Sequence, residues 1–211
     1  MFITFEGIDG AGTTTHSRMF FDWLQEQGFE GLLTREPTDG PVGKLLRSFL
    51  RHEGDVEPDP VLMTYLFAAD RKHHLQADME PVLDAGGVVI CDRYLHSTLA
   101  YQSVGLPAGW VETVMQPLRI PDIIVFVDLD PAEALRRIDV RGEARELFER
   151  VDFLQRVRDN YLNIFDDNGS YLLVRVTNDK DPAVVQQQIR DACAPAIKAF
   201  ASTLSGAGGT A

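Results

Sequence analysis

Five stretches of the chain are apolar and rich in β-branched or aromatic residues: Phe2–Phe5, Gly31–Thr34, Gly87–Cys91, Ile123–Val127 and Tyr171–Val174. Runs this short and this continuously apolar predict strands buried on both faces, as in a parallel sheet. Between them apolar residues recur at helical spacing. Met19, Phe20, Trp23 and Leu24 mark a first helix, and Val42, Leu45, Leu46, Phe49 and Leu50 a second. One long pattern from Val61 to Leu83 ends at Gly86-Gly87, and Pro182 to Leu204 predicts a closing helix. Strands alternating with helices predict an α/β fold: one domain over residues 1–204 with a mainly parallel five-stranded sheet flanked by helices. Residues 205–211, small and glycine-rich, read as a flexible tail.

Composition narrows the partners. The 211 residues carry a formal net charge of −12, which disfavours nucleic acid and anionic membrane surfaces. No apolar run approaches the ~18–20 residues of a membrane helix, and the first strand begins at Phe2 without a basic leader, so a cytoplasmic protein is expected. Cys91 and Cys193 are the two cysteines. They lie far apart and imply no disulfide framework. Cys91 sits in an apolar run and reads as a small buried side chain.

The first strand runs into Gly7-Ile8-Asp9-Gly10-Ala11-Gly12-Thr13-Thr14-Thr15 and then into a helix. Glycines between strand and helix let backbone N–H groups converge, and the helix N-terminus adds its dipole, so the turn can cradle phosphates. The spacing fits G-x-x-x-x-G-K-[ST] except that Thr13 stands where the lysine belongs. Thr14 occupies the position whose hydroxyl ligates Mg²⁺. A glycine-rich turn without a ligand, or a nucleotide fold that has lost catalysis, are the alternatives. Asp92 and Arg93 end the third strand, where open α/β sheets bind ligands; they read as a metal-water holder and a phosphate fork, or as a structural ion pair. Phe67 and Arg71, four apart, share a helix face, and so do Ser97, Thr98 and Tyr101. Seven arginines lie between 136 and 158, interleaved with acids. They form either a salt-bridged helix face or a phosphate-binding cluster.

Taken together, FEGIDGAGTTT at 5–15, REPTDGPVGKLLR at 35–47, LFAADR at 66–71, CDRYLHSTLAYQS at 91–103, PDIIVFVDLDP at 121–131 and RGEARELFERVDFLQRVRDNYL at 141–162 resemble thymidylate kinase, its archaeal branch above all. The resemblance implies a P-loop nucleoside monophosphate kinase fold, with ATP and dTMP as substrates, Mg²⁺ as cofactor and a homodimer. It implies that Asp9 positions the acceptor, Phe67 stacks on thymine and Arg71 donates to its O4. Thr98 helps read the base edge, Ser97 lines the acceptor site and Tyr101 underlies the sugar. Glu36 and Pro37, with a peptide that is often cis in the family, lie near the acceptor phosphate. Arg93 grips that phosphate, and Asp92 orients the metal's water. The arginine segment becomes a lid at about 137–150, with Glu149 near the sugar and Arg141 and Arg145 reaching phosphates. Either arginine can substitute for the absent lysine; Lys44 and Lys72 are lesser candidates. A kinase for dUMP or a modified pyrimidine nucleotide, and a non-catalytic nucleotide-binding protein, remain open alternatives.

Overall fold

Five strands form one all-parallel sheet in the order β2-β3-β1-β4-β5. They are β1 (Phe2–Glu6), β2 (Gly31–Arg35), β3 (Val88–Asp92), β4 (Ile123–Asp128) and β5 (Leu172–Thr177). The computed structural model describes residues 1–51, 53, 59–141, 148, 150–166 and 169–207; of Arg141 and of 205–207 it describes the backbone alone. Helices connect the strands: α1 (Thr13–Glu26), α2 (Pro41–Leu50), α3 (Pro60–His74), α4 (Glu80–Asp84), α5 (Leu95–Gln102), α6 (Ala108–Met115), α7 (Pro131–Arg141), α8 (Val151–Ile164) and α9 (Pro182–Ala207). Helices α2, α3, α7 and α9 each begin on a proline, whose fixed φ and missing N–H suit the first helical position.

β1, β3 and β4 are buried almost throughout, and their side chains alternate between two cores. Ile3, Phe5, Val88 and Ile90 pack with Phe20 and Leu24 of α1. Phe2, Val89 and Cys91 pack with Leu75, Met79 and Leu95. A smaller cluster joins Leu46 and Leu50 of α2 to Met63 of α3, with Phe67 and Phe148 against it. Because β1 lies between β3 and β4, the chain leaves it in one direction first and in the other later. The crevice at that reversal, outside the strands' C-terminal ends, is where such sheets place ligands.

Three local features differ from the sequence reading. The expected helix from Val61 to Leu83 is interrupted: Leu75–Met79 forms a π-helical turn between α3 and α4, so the stretch holds one residue more per turn there. Helix α6 falls in a stretch without a clear apolar stripe. Helix α9 continues three residues past Leu204 to Ala207, into the expected tail; Ser205, Gly206 and Ala207 extend the last turn, and 208–211 lie outside the described residues.

Candidate active site

The loop from Gly7 to Gly12 joins β1 to α1, and its glycines are required by geometry. Gly10 and Gly12 have φ of 80° and 94°, the left-handed region that side chains disfavour. A side chain at Gly10 would run into the carbonyl oxygen of Ala134 at the start of α7, and one at Gly12 would lie 2.6 Å from Asn178 Nδ2. The loop is thus packed between α7 and the end of β5. Asn178, just past β5, donates from Nδ2 to the Ala11 carbonyl (2.7 Å). Arg137 of α7 donates to the Asn178 carbonyl (2.8 Å). Thr13 is buried at the head of α1.

Thr14 donates its hydroxyl to Asp92 Oδ2 at 2.5 Å. The other carboxylate oxygen, Oδ1, is buried without a hydrogen-bond partner among the described residues. A buried carboxylate oxygen with no donor is costly, and the water of a bound cation would supply what is missing. Thr14 and Asp92 also line a cavity of ≈590 Å³ together with Arg18, Arg35, His73 and Asp78, which leaves room for a hydrated ion. The donor set, a hydroxyl and a carboxylate, suits a hard cation that keeps most of its water.

Arg93 follows Asp92 directly and is the described non-glycine residue with positive φ, 67°. That conformation turns its side chain over the loop. Nη1 donates to the Gly7 carbonyl (2.8 Å) and to Ser97 Oγ (3.3 Å), and Nη2 to Asp9 Oδ1 (2.6 Å). Its guanidinium lies 5.3 Å from the centre of the Tyr101 ring. The Tyr101 hydroxyl accepts from the Asp9 N–H (2.9 Å). Burial pushes the Tyr101 hydroxyl well above its usual range, so it stays protonated.

Arg93 and Asp9 form the inner end of a pocket lined by Glu36, Pro37, Phe67, Arg71, Ser97, Thr98, Tyr101 and Phe148. Arg71 is 1% exposed and held on several sides. Nε donates to Glu36 Oε2 (2.7 Å), and Nη1 reaches Thr98 Oγ1 and Met115 Sδ (3.1 Å each). Nη2 has no hydrogen bond among the described residues. Glu36 is shared: His74 Nδ1 lies 3.1 Å from its Oε1, and His74 Nε2 lies 2.7 Å from Thr34 Oγ1. Asp70 accepts from the Thr38 N–H (2.8 Å) and hydroxyl (2.6 Å). The loop after β2, with a cis peptide at Glu36–Pro37, is therefore pinned to one face of α3, and Arg47 of α2 donates to the Pro37 carbonyl. Glu36, His74 and Cys91 bring three potential metal donors together, but each already has a partner here: Arg71, Thr34 and the Arg93 carbonyl.

The thymidylate kinase family model matches residues 5–189. The chain belongs to the thymidylate kinase family. Among relatives, one named "Probable thymidylate kinase" from Pyrococcus horikoshii is 41% identical over 167 residues, covering 77% of this chain and 82% of that protein. Another of that name, from Thermococcus gammatolerans, is 39% identical over 84% of this chain and 89% of its own length. A third, from Methanococcus aeolicus, is 34% identical over 84% and 88%. The all-parallel sheet with its glycine loop is accordingly the P-loop kinase fold of that family.

With thymidylate kinase as the frame, most of the residues singled out in the sequence converge. Asp9, Glu36, Pro37, Phe67, Arg71, Arg93, Ser97, Thr98 and Tyr101 line one pocket. Thr14 and Asp92 meet beside Gly7, Gly10, Ala11 and Gly12 of the loop and Thr13 and Thr15 of the first turn of α1. Arg145 and Glu149 lie outside the described residues, and so does the side chain of Arg141. The neighbouring arginines are committed within the fold. Arg136 and Arg137 pair with Glu133, Arg150 with Asp152 and Arg158 with Asp128, while Arg156 donates to the Val104 carbonyl. Lys72 faces Glu80 at 4.0 Å. Among the described residues, then, the arginine segment is a salt-bridged helix face.

Sequence reasoning missed four residues that shape the site: Asp70, His74, Asn178 and Glu6. The signal for Glu6 was present, a carboxylate closing an otherwise apolar strand. It is fully buried, and burial raises its carboxyl from 4.5 to about 7 despite hydrogen bonds and nearby arginines that favour the ionised form. His96 nearby is held down to about 3 by burial and by the Arg71 charge, and is neutral.

Proposed function

We propose that the chain is a dTMP kinase, moving the γ-phosphoryl group of ATP to the phosphate of dTMP to give dTDP and ADP. It would serve dTTP synthesis in the cytoplasm, with Mg²⁺ as cofactor. The position of Arg93 carries the reading. One guanidinium touches the loop at Gly7 and lines the acceptor pocket, so it stands between donor and acceptor phosphates as a planar fork. Phosphoryl transfer asks the protein mainly for positioning and charge.

Phe67 stacks on the thymine ring, and Arg71 offers its remaining Nη2 to the base O4. An obligate donor there favours thymine over cytosine, whose 4-amino group also donates. Glu36 acts on the substrate through Arg71, and Thr98 fixes the other side of the same guanidinium. Tyr101 closes the pocket under the deoxyribose and leaves no space for a 2′-hydroxyl; Asp9, anchored by Arg93 and Tyr101, faces the sugar and acceptor phosphate. The loop amides and the N-terminus of α1, with Thr13, Thr14 and Thr15, hold the triphosphate. Thr14 and Asp92 would hold Mg²⁺, which when bound neutralises phosphate charge. The lid at 137–150 closes the site, with Glu149 beside the sugar and Arg141 or Arg145 supplying the charge that Thr13 lacks.

Residues 1–204 act as one kinase domain, and α9 carries the chain on to Ala207. The working form is a homodimer: Leu45, Val61, Leu62 and Tyr65 expose apolar surface on α2 and α3, and Tyr65 packs edge-on against Trp110 of α6. The net charge supports small-molecule substrates and neither nucleic acid nor membrane as partner. Among the described residues, no helix is long and apolar enough to cross a membrane.

A coupled assay of ADP release tests this with dTMP, dUMP and dCMP as acceptors, on the protein and on Thr13→Lys, Arg141→Ala and Arg145→Ala. The expected result is turnover of dTMP above the others, little gain from Thr13→Lys, and a fall of at least ~10³-fold for one lid variant. Equal use of dUMP would overturn the substrate. Turnover only after Thr13→Lys would make the protein a nucleotide binder without catalysis.

A further inference from the structure

The Glu6 carboxylate lies directly behind the machinery just described and lines neither substrate pocket itself. Its Oε2 accepts from the Ser97 hydroxyl (2.6 Å) and the Tyr161 hydroxyl (3.1 Å), and its Oε1 from the Tyr94 N–H (3.0 Å). Ser97 Oγ and Tyr161 Oη are themselves 2.8 Å apart. Ser97 in turn accepts from Arg93 Nη1. Four elements therefore meet on one buried carboxylate: β1, the turn after β3, α5 and α8. We propose that Glu6 is a positioning residue for Arg93, acting through the Ser97 hydroxyl, and that only its ionised form holds the guanidinium in the phosphate-bridging place. This rests on Arg93 being the phosphate-bridging group.

The physical reason is a competition for one cation. Arg93 is drawn forward by Asp9 and backward by Glu6 through Ser97. When Glu6 is ionised, Ser97 gives its proton to the carboxylate and keeps a lone pair for Arg93. When Glu6 is protonated, it donates to Ser97 instead, the Ser97 proton turns to Tyr161 and the Tyr161 proton to Glu6. The trio stays hydrogen-bonded, but the charge behind Arg93 is gone and Asp9 acts unopposed. The charged groups that face Glu6 are Arg93 and, further off, Arg71 of α3; both favour ionisation. His96 Nδ1 of α5 is 3.9 Å away and uncharged, so it adds nothing to the balance at neutral pH. On the β3 side, Asp92 is paired in register with Phe5 and bonded to Thr14. Because the Glu6 carboxyl is raised to about 7, the switch falls in the physiological range.

Two measurements on the whole protein test this. The first is kinetic. With dTMP, ATP and Mg²⁺, Glu6→Gln and Ser97→Ala should each lower kcat about 10- to 100-fold, the range seen when a supporting partner is removed. The KM for dTMP should change less than threefold, and Glu6→Gln should remove a kcat transition centred near pH 7. The double variant should be no slower than either single one. Multiplicative losses, or an unchanged pH profile in Glu6→Gln, would overturn the proposal. The second needs no catalysis. The ¹⁵N guanidinium resonances of Arg93, assigned with Arg93→Lys, should shift with pH near 7 in the parent protein and in Tyr161→Phe but not in Glu6→Gln. A parent inactive on dTMP whose Arg93 resonances still follow Glu6 would refute the kinase assignment and leave the coupling standing. Arg93 resonances indifferent to Glu6 would refute the coupling whatever the activity.

Discussion

Replacing Glu6 by Gln should stabilise the protein at neutral and alkaline pH, although it removes a charge that receives three hydrogen bonds. The carboxyl is fully buried and raised from 4.5 to about 7. The folded state therefore holds a proton that the unfolded state has released between those two values. Stability contributed by Glu6 is full below pH 4.5, declines as pH rises through 7, and is then lost. Raising the carboxyl this far corresponds to about 3 kcal/mol, of which roughly 2.5 falls between pH 5 and pH 8. Gln mimics the protonated carboxyl and feels none of this. His96 titrates with the opposite sign: held at about 3, it adds stability that is present above its ordinary 6.5 and is lost as pH falls. That contribution is common to both proteins and cancels in their difference. Urea unfolding at pH 5, 6, 7 and 8 gives the answer directly. The stability of Glu6→Gln minus that of the parent should grow by about 2–3 kcal/mol across the series, on the order of 1 M in urea midpoint. A difference that stays flat, or narrows as pH rises, would show that the buried carboxylate is compensated by its partners and that its ionisation costs nothing.

Three other outcomes follow from the geometry. Arg71→Lys loses the fork that spans Glu36 and Thr98, so the KM for dTMP should rise about tenfold or more while kcat changes less; steady-state kinetics with varied dTMP decides it. Asp92→Asn keeps a partner for the Thr14 hydroxyl but removes the carboxylate charge offered to a cation, and should raise the Mg²⁺ concentration for half-maximal rate about tenfold, read from a Mg²⁺ titration at saturating ATP. Gly10→Ala places a methyl group against the Ala134 carbonyl at a φ of 80°; a loss of at least ~1–2 kcal/mol and weakened ATP binding are expected in thermal unfolding with and without ATP, and an unchanged melting temperature would refute it.

The sheet was legible because parallel strands covered on both faces are apolar runs bounded by glycine and proline, a pattern that needs no knowledge of distant partners. The glycine loop, Asp92-Arg93 and the Phe67/Arg71 pair were legible for a related reason: each is a local motif at a strand end or on one helix face. What escaped notice depends on contacts far apart in sequence. Asn178 matters because it braces Ala11, 167 residues away, and nothing in its neighbours says so. His74 sits in a Lys-His-His run that reads as a solvated helix end, yet it is buried against Glu36. The arginine segment showed the limit of composition: charge density cannot distinguish a cation awaiting a phosphate from one already satisfied by Glu133 or Asp128.

The π-helical turn between α3 and α4 has a consequence for the kinds of sequence change this region accepts. Arg71, Leu75, Met79 and Leu83 all face inward and recur every fourth residue. At 3.6 residues per turn, a strict four-residue repeat drifts by about 40° each step, so a regular helix would carry the last of the four roughly 120° away from the first. The widened turn takes up that drift and lets one face serve both the nucleotide pocket and the sheet. Point substitutions on the solvent side, at Gln76 or Ala77, should therefore be well accepted. Deleting a single residue from 75–79 would leave a continuous helix and yet rotate everything after it by about 100°. Leu83 would turn toward water while Arg71 kept its place. The fold here constrains phase as much as side-chain identity.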